Sequence, residues 1–349
     1  MNRYAVSEVS AETDAPPICE LWARNLESGC IEHAKGKLQQ GYVANPAAKG
    51  ALFVIREEVD SDPALAGVIG LHPRRFFQNG HQWLAATLAD FSVDSAHRSA
   101  GPALMLMRTA LNAGRERFPL IIGIPNSHSY AICRRAGMTP LGTLTKYTLI
   151  SASRQRLAQR INRHLLPVAA PILDLTLKCR LIWKNLGLRP ALNCREASFD
   201  DAELDRIWAQ RPPALLVSDR SASMLRWRYC RNGVKPWRIN IMQEPGGVDC
   251  GYVVWRLEDG LAVIGDFFSI EPSRLTASLL RAHARSAFAA GAHSVSASFL
   301  GSESITSAFY RAGYFLAESP GETVLVAKDM SFGEVTLSDC YLTTYDNDG

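Results

Sequence analysis

Two short motifs occur twice in this chain of 349 residues, and the copies of each lie 176 positions apart. Asp90-Phe91 recurs as Asp266-Phe267, and Arg135-Ala136-Gly137 recurs as Arg311-Ala312-Gly313. Between the two motifs, each copy has a strand end, an alanine-rich helix, a glycine and an apolar strand. The length is also typical of two domains. The repeat therefore predicts that one fold is present twice.

Alternating strand and helix signals fill the first 150 residues. Short runs rich in Val and Ile predict strands, amphipathic runs bounded by Pro, Ser or Gly predict helices, and Asn79-Gly80 predicts a hairpin turn. The predicted strands are 50–56, 65–71, 82–93, 120–125 and 146–150, and the predicted helices are 15–25, 101–112 and 127–135. This pattern predicts an α/β fold, a mixed sheet with flanking helices.

Basic residues are concentrated in one segment between the two copies. The formal net charge is +4, yet residues 151–190 contain eight Lys or Arg against one acid, Asp174. We expect an N-terminal domain over 1–150, a basic helical linker over 151–194, a second domain over 195–330 and an acidic C-terminal tail over 331–349. The linker is interpreted as a solvated connector, and the alternative is that 151–190 contacts a membrane surface peripherally.

Several classes of protein do not fit the sequence. The eight cysteines are scattered and form no C-x-x-C pair, so we expect no metal site. The first residues lack the apolar stretch of a signal peptide, which predicts a cytoplasmic protein. No zinc-finger or RNA-binding signature occurs, so we expect no nucleic-acid partner. The sequence defines no oligomeric state.

The most informative stretch is Asp90–Leu104, DFSVDSAHRSAGPAL. A strand ends near Val93, and the run from Arg98 to Ala103 begins a helix. The start of a helix exposes unpaired N–H groups and the positive end of the helix dipole, which together favour a phosphate group. Gly101 would permit close approach of a ligand to the backbone. The alternative is that Gly101 and Pro102 only punctuate the start of a helix.

This stretch resembles the signature of the GNAT superfamily of acyl-CoA-dependent N-acyltransferases, R/Q-x-x-G-x-G/A after a strand ending in V-x-P-x-Y. Here Arg98, Gly101 and Ala103 match it, while Ser95 and His97 replace the usual proline and tyrosine. A later family motif, N-x-x-A-x-x-x-Y-x-x-x-G-F, is similar to the segment 126–138. The tandem layout resembles two-domain members linked to bacterial polysaccharide biosynthesis.

The resemblance implies acetyl-CoA or another acyl-CoA as co-substrate and a small-molecule amine, such as an amino sugar, as acceptor. Backbone N–H groups of the loop would hold the pyrophosphate, and the pantetheine arm would lie between two diverging strands. The implied cofactor-binding residues are Phe91, Val93, Arg98, Ser99, Ala100, Gly101, Ala103 and Asn126.

The implied catalytic candidates are Asp90, Tyr130 and Cys133. Asp90 lies on the strand beside the expected thioester, where it could act as base, as acceptor anchor or as a structural acid. Tyr130 or Cys133 could protonate the departing thiolate, and the alternatives are core packing for Tyr130 and an inert buried thiol for Cys133. His72 could face the acceptor cleft, or it could be a surface histidine.

The second copy departs further from the family pattern. Its loop at 271–278 has no glycine, and Leu275 and Thr276 would crowd a pyrophosphate. We therefore expect this copy to bind no CoA and to shape the acceptor cleft or the domain interface. The predicted function is N-acyl transfer. The alternatives are a non-catalytic accessory protein of a polysaccharide assembly system and an aminoacyl transferase of the cell-wall precursor type.

Overall fold

The computed structural model describes residues 3–151 and 190–347 apart from gaps at 26–29, 59–62, 99, 231–235, 330–331 and 334. It also describes residues 171–172 and 175–176. Fifteen strands form one continuous mixed sheet that is flanked by helices. The α/β class expected from the sequence is therefore confirmed.

The strands are β1 (Tyr4–Val9), β2 (Ala51–Glu57), β3 (Ala64–Gln78), β4 (His81–Val93), β5 (Leu120–Gly123), β6 (Thr139–Ile150), β7 (Asn193–Ala197), β8 (Leu216–Ser218), β9 (Arg238–Gln243), β10 (Asp249–Glu258), β11 (Leu261–Ser269), β12 (Ser294–Gly301), β13 (Phe315–Leu316), β14 (Glu322–Lys328) and β15 (Cys340–Thr343). The α-helices are α1 (Ala15–Asn25), α2 (Ile31–Leu38), α3 (Ala100–Arg115), α4 (Ser127–Arg135), α5 (Glu203–Ala209), α6 (Ala222–Tyr229), α7 (Pro272–Ala289) and α8 (Glu303–Arg311).

Most predicted elements of the N-terminal half are present. The hairpin between β3 and β4 turns at Asn79 and Gly80, whose φ angles of 51° and 77° suit a two-residue turn between twisted strands. Two strands are longer than predicted, because β3 continues to Gln78 and β6 begins at Thr139. The sequence analysis missed β1 and α2.

Both halves contain the same order of elements. Each has a strand, two helices, three antiparallel strands, a helix, a strand, a helix and a final strand, and the second half adds β8, β14 and β15. Within each half, the third antiparallel strand pairs in parallel with the strand that follows the long helix, as β4 with β5 and as β11 with β12.

The two halves exchange strands. β14 lies between β5 and β6, where it pairs with Leu120–Gly123 and with 139–144. In return, the second part of β6, 145–150, lies between β12 and β13. Val324 and Leu325 of β14 are fully buried in the N-terminal half. The predicted domain limits of 1–150 and 195–330 therefore do not enclose complete sheets.

The predicted acidic C-terminal tail is wrong for most of its described residues. β15 pairs with both β12 and β8, and the short 3₁₀ helix after it begins with a capping box at Thr343. Tyr341, Tyr345 and Asp346 are buried, so this segment is part of the core. The prediction failed because it considered only the acidic residues of this segment and not its tyrosines, which are buried.

Most of the predicted basic linker lies outside the described residues. In its two described helical pieces, Ile172 and Leu175 are exposed. Among the helices that the structure describes, none is long and apolar enough to cross a membrane.

Candidate active site

A cavity lies where β4 and β5 separate. The two strands pair only at Ala86 with Ile121 and at Thr87 with Ile122, and they diverge beyond these positions. The cavity occupies about 470 Å³ between the diverging ends. It is lined by residues from β4, the end of β5, α2, α3, α4, β14 and the C-terminal segment: Lys37, Leu88, Ala89, Asp90, Phe91, Met107, Ile124, Pro125, Asn126, Ser129, Cys133, Glu322 and Asn347.

A β-bulge turns Asp90 towards this cavity. The register between β3 and β4 shifts between Val68 and Gly70, so one position of β3 faces both Asp90 and Phe91. Asp90 has a φ of 57°, in the left-handed region that non-glycine residues seldom adopt. Bulges commonly re-aim a side chain next to an active site, and here the bulged residue carries a buried carboxylate.

Three side chains surround the Asp90 carboxylate. Lys37 forms an ion pair with Oδ1, and the Tyr42 hydroxyl donates a hydrogen bond of 2.6 Å to Oδ2. His72 Nε2 lies 3.4 Å from Oδ2. Burial disfavours the charged form of Asp90, but the contacts with His72 and Lys37 outweigh it and hold the pKa well below its usual range. The carboxylate therefore stays ionised near neutral pH.

This environment makes Asp90 a poor general base. A carboxylate whose pKa lies far below the working pH holds a proton too weakly to take one from an amine efficiently. An ionised, buried carboxylate with a lysine ammonium already on it is instead suited to anchor a cationic group. Of the roles considered from the sequence, the acceptor anchor and the structural acid therefore both stay predictions. His72 is buried beside Asp90, so the alternative of a surface histidine is wrong.

The start of α3 is accessible to a ligand. A Cβ on Gly101 would meet no protein atom within 4 Å, so packing within the described residues gives no reason for glycine here. Ala103 is largely buried, and Met107, further along the same helix, lines the cavity. Arg98 is exposed and donates hydrogen bonds to Asn25 Oδ1 and to the Val93 carbonyl. Ser99 and the side chain of Ala100 lie outside the described part of the chain.

Asn126 and Phe91 border the cavity as the resemblance implies, whereas Val93 does not line it. The Asn126 side chain is the N-cap of α4, where its Oδ1 accepts from the N–H groups of His128 and Ser129, each at 3.0 Å. Capping of this kind satisfies two orphan donors of a helix. Asn126 thus already has a structural role, and its amide nitrogen is the group left for a ligand.

The two candidates for thiolate protonation lie in different environments. Cys133 lines the cavity and is buried, and burial raises the pKa of its thiol to about 11. Such a thiol releases its proton less readily than an ordinary thiol, whose pKa is about 8.5. Tyr130 is 37% exposed on α4 and is not among the cavity-lining residues, so the alternative of core packing is wrong.

Sequence reasoning missed four residues of the site. Lys37 and Tyr42 come from α2 and the π-helical turn after it, a region with weak periodicity. Glu322 and Asn347 come from the C-terminal half and reach the cavity through strand exchange and through the buried C-terminal segment. A local motif could not find Glu322 and Asn347, because the other residues that line the cavity all lie between positions 37 and 133.

The corresponding cleft of the second half is filled by protein. β11 and β12 pair only over the three positions from Leu261 to Val263 and then diverge. β15 pairs with β12 at Phe299–Gly301, on the edge opposite β6, and so occupies the gap. The Tyr341 hydroxyl donates a hydrogen bond of 2.7 Å to the carbonyl of Phe267 on β11.

Helix α6 of the second half carries both aromatic and basic side chains. Leu225 and Tyr229 are buried, as in a packed helix, but Arg228 is buried too and donates to the carbonyl of Asn347 at 2.7 Å. Trp227 is half-buried and hydrogen-bonds to Gln40 of the N-terminal half. This helix therefore joins the two halves near the cavity.

No protein-family model and no curated protein matches the sequence. Solved structures share the fold. A probable N-acyltransferase from Enterococcus faecalis V583 has a TM-score of 0.64 at 12% identity, covering 93% of this chain and 72% of that one. A GCN5-related N-acetyltransferase from Anabaena variabilis has a TM-score of 0.63 at 14% identity, with the same coverage. N-myristoyltransferase of Saccharomyces cerevisiae with bound myristoyl-CoA has a TM-score of 0.54 at 10% identity, covering 93% and 78%. The chain shares its fold with these three acyltransferase structures.

Proposed function

We propose that this chain is an acyl-CoA-dependent N-acyltransferase with one active site, in its N-terminal half. One observation carries the proposal: the gap between β4 and β5 is an open cavity with a buried carboxylate, and the equivalent gap in the second half is filled by β15. The chain is then a pair of GNAT-like units, of which the second is degenerate, joined by the basic segment 151–194.

In this proposal the start of α3 binds the CoA pyrophosphate. The N–H groups of its first turn donate hydrogen bonds to the phosphates, and the guanidinium of Arg98 adds positive charge. The open space beside Gly101 lets the phosphates approach the backbone. Pro102 lacks an N–H, so its neighbours supply the donors. Phe91 and Asn126, which line the cavity, border the path of the pantetheine arm between β4 and β5, and Val93 and Ala103 are expected nearer the pyrophosphate.

The acceptor is a small-molecule amine, such as an amino sugar, that enters from the side of Lys37 and Glu322. Acyl-CoA supplies an activated thioester when bound. Asp90 orients the acceptor through its charge, and backbone N–H groups at the bulge in β4 are the proposed donors to the developing oxyanion. After the neutral amine nitrogen bonds to the acyl carbon, the carbon–sulfur bond breaks and the thiolate of CoA leaves. The proton that the nitrogen loses passes to the departing thiolate or to water.

The non-catalytic alternative, an accessory protein of a polysaccharide assembly system, is favoured by two observations. Asp90 is neutralised by Lys37, and the Cys133 thiol holds its proton. Under this alternative, acyl-CoA would bind without release of free CoA in the presence of any amine.

Calorimetric titration with acetyl-CoA tests the proposal. The wild type is expected to bind about one acetyl-CoA per chain, and Gly101→Glu is expected to abolish binding by placing a carboxylate among the phosphates. Gly246→Glu is the matched control, because a Cβ at Gly246 also meets no atom within 4 Å. Equal binding by wild type and Gly101→Glu, or two molecules per chain, would contradict the proposal. Thiol release with a panel of amines then separates an enzyme from an accessory protein.

A further inference from the structure

Arg74, on β3, is a buried cation whose hydrogen-bonding groups are unused. Its side chain is 1% exposed, and none of its three guanidinium nitrogens has a hydrogen-bond partner among the described residues. The guanidinium carbon lies 5.0 Å from the centroid of the Tyr345 ring and 5.4 Å from that of Trp227. Both rings belong to the C-terminal half, so Arg74 lies at the junction of the two halves.

Arg220, a second buried arginine, also lies against the ring of Tyr345, but unlike Arg74 it has carboxylate partners among the described residues. Arg220 lies 4.8 Å from the centroid of Tyr345 and pairs with two carboxylates, Asp266 at 3.1 Å and Asp346 at 2.8 Å. Arg74 has no such pair among the described residues. A buried charge is costly unless it is paired and hydrogen-bonded. The difference points to an anion that the described residues do not supply.

The charged groups around Arg74 place it next to the proposed active site. His72 lies two residues away on β3 and therefore on the same face of the sheet, roughly 7 Å along the strand. His72 contacts Asp90, which also holds Lys37. The neighbouring Arg75 points to the opposite face and pairs with Asp219 at 2.9 Å.

Ring contacts leave the donors of a guanidinium free for a planar partner. Arginine stacks on aromatic faces while its five N–H groups project from the edge of the plane, in a geometry that matches carboxylate and phosphate. Trp227 and Gln40 hydrogen-bond to each other's main chain across the junction, which fixes one of the two rings in place.

We propose that Arg74 is the receptor for an oxyanion, a carboxylate or a phosphate, bound at the junction of the two halves. The oxyanion is either an acidic group of the acceptor amine or a free small anion. The first source rests on the proposed function, and it would make the acceptor an amine that carries its own negative charge. The site itself does not depend on acyl transfer.

Thermal unfolding of the full chain without acyl-CoA tests the site. Acetate or phosphate is titrated against chloride at constant ionic strength, for the wild type and for Arg74→Met, which keeps an apolar stem between the rings. We expect the oxyanions to raise the midpoint of the wild type by roughly 2 °C or more beyond chloride. Arg74→Met is expected to show no such excess.

The control is Arg256→Met. Arg256 also lies over a tryptophan ring, at 4.5 Å from the centroid of Trp237, but it pairs with Glu258. This variant should keep the full oxyanion response. Equal responses of wild type and Arg74→Met would overturn the proposal, because general salt effects would then explain the shift. If Arg74→Met does not fold, Arg74→Lys replaces it and should lose most of the response, since lysine lacks the planar fork.

A second measurement identifies the source of the oxyanion. Acyl transfer to glucosamine 6-phosphate is compared with transfer to glucosamine, and transfer to alanine with transfer to alaninamide. A preference of at least 10-fold in kcat/KM for the charged member of a pair, lost in Arg74→Met, assigns the oxyanion to the acceptor. No preference, together with a positive thermal result, assigns it to a free anion. Absence of transfer to every amine contradicts the proposed function and leaves the thermal result to decide the site.

Discussion

Asp90 and Asp266 occupy the same place in the two halves, yet their surroundings differ. Each lies near the end of the third antiparallel strand and precedes a phenylalanine. Asp266 is enclosed by Arg220, by the Tyr252 hydroxyl at 2.8 Å and by the Thr343 hydroxyl at 2.6 Å. Asp90 instead faces a cavity, and its partner Lys37 keeps 20% of its side chain exposed.

The difference comes from a distant segment. Thr343 belongs to β15, which fills the gap beside Asp266, and no described strand fills the gap beside Asp90. The acid at the same position is thus enclosed by protein in one half and lines an open cavity in the other. Whether a repeated residue is structural or functional is decided by what occupies the space next to it.

The largest expected effect comes from separating the halves. Residues 1–150 expressed alone should show no cooperative unfolding transition, because β14, which lies between β5 and β6, is missing. Circular dichroism during heating measures this. Co-expression with residues 190–349 supplies β14 and should restore a folded complex. A sharp transition for 1–150 alone would show that the halves are independent.

The next effect concerns the enclosed acid. Asp266→Asn should lower the free energy of unfolding by about 3–5 kcal/mol, because it removes one of the two counter-ions of the fully buried Arg220. Denaturant titration measures the loss. Binding of acetyl-CoA to the folded fraction should be unchanged. A loss below about 1 kcal/mol would remove the contrast with Asp90.

The smallest effect on stability is expected at the open acid. Asp90→Asn keeps the shape and the acceptor for Tyr42, and Lys37 reaches solvent, so the free energy of unfolding at neutral pH should fall by about 2–3 kcal/mol, less than for Asp266→Asn. KM for the acceptor should rise roughly 10–100-fold through the lost charge. Denaturant titration measures the free energy of unfolding, and steady-state kinetics measures KM.

The pH dependence separates an anchor from a base. Because the pKa of Asp90 is below its usual range in the folded protein, kcat/KM between pH 5 and 9 should have the same profile in wild type and Asp90→Asn. Loss of the acidic limb in the variant would identify Asp90 as the base. The lowered pKa also adds stability that is present above about pH 4 and is lost as the pH falls further. Asp90→Asn should lack that part of the acid sensitivity.

The sequence predicted the local elements that carry strong signals. Pro16 and Pro17 in the first turn of α1, the Asn79-Gly80 turn and the apolar run of β5 each act over a few residues, and each is present in the structure. Elements with weak sequence signals were not predicted. α2 has a glycine in its middle, and only Ala34 and Leu38 are buried, so its pattern is too short to recognise.

The candidate site was predicted in part. Asp90, Phe91, Asn126 and Cys133 line one cavity, as the motifs of the N-terminal half suggest. The chemistry of these groups depends on residues that no motif contains. Lys37 and His72 set the ionisation of Asp90, and burial sets that of Cys133. Such effects follow from contacts in three dimensions.

The sequence by itself determined that strands and helices follow one another in the same order in both halves, because the spacing of hydrophobic residues, turns and helix caps acts locally and is repeated along the chain. Only the tertiary structure decided which copy keeps an open cleft, that each half completes its sheet with a strand of the other, and that the supposed tail is buried. These features depend on the pairing of strands far apart in sequence, where backbone hydrogen bonds and apolar burial select the partner.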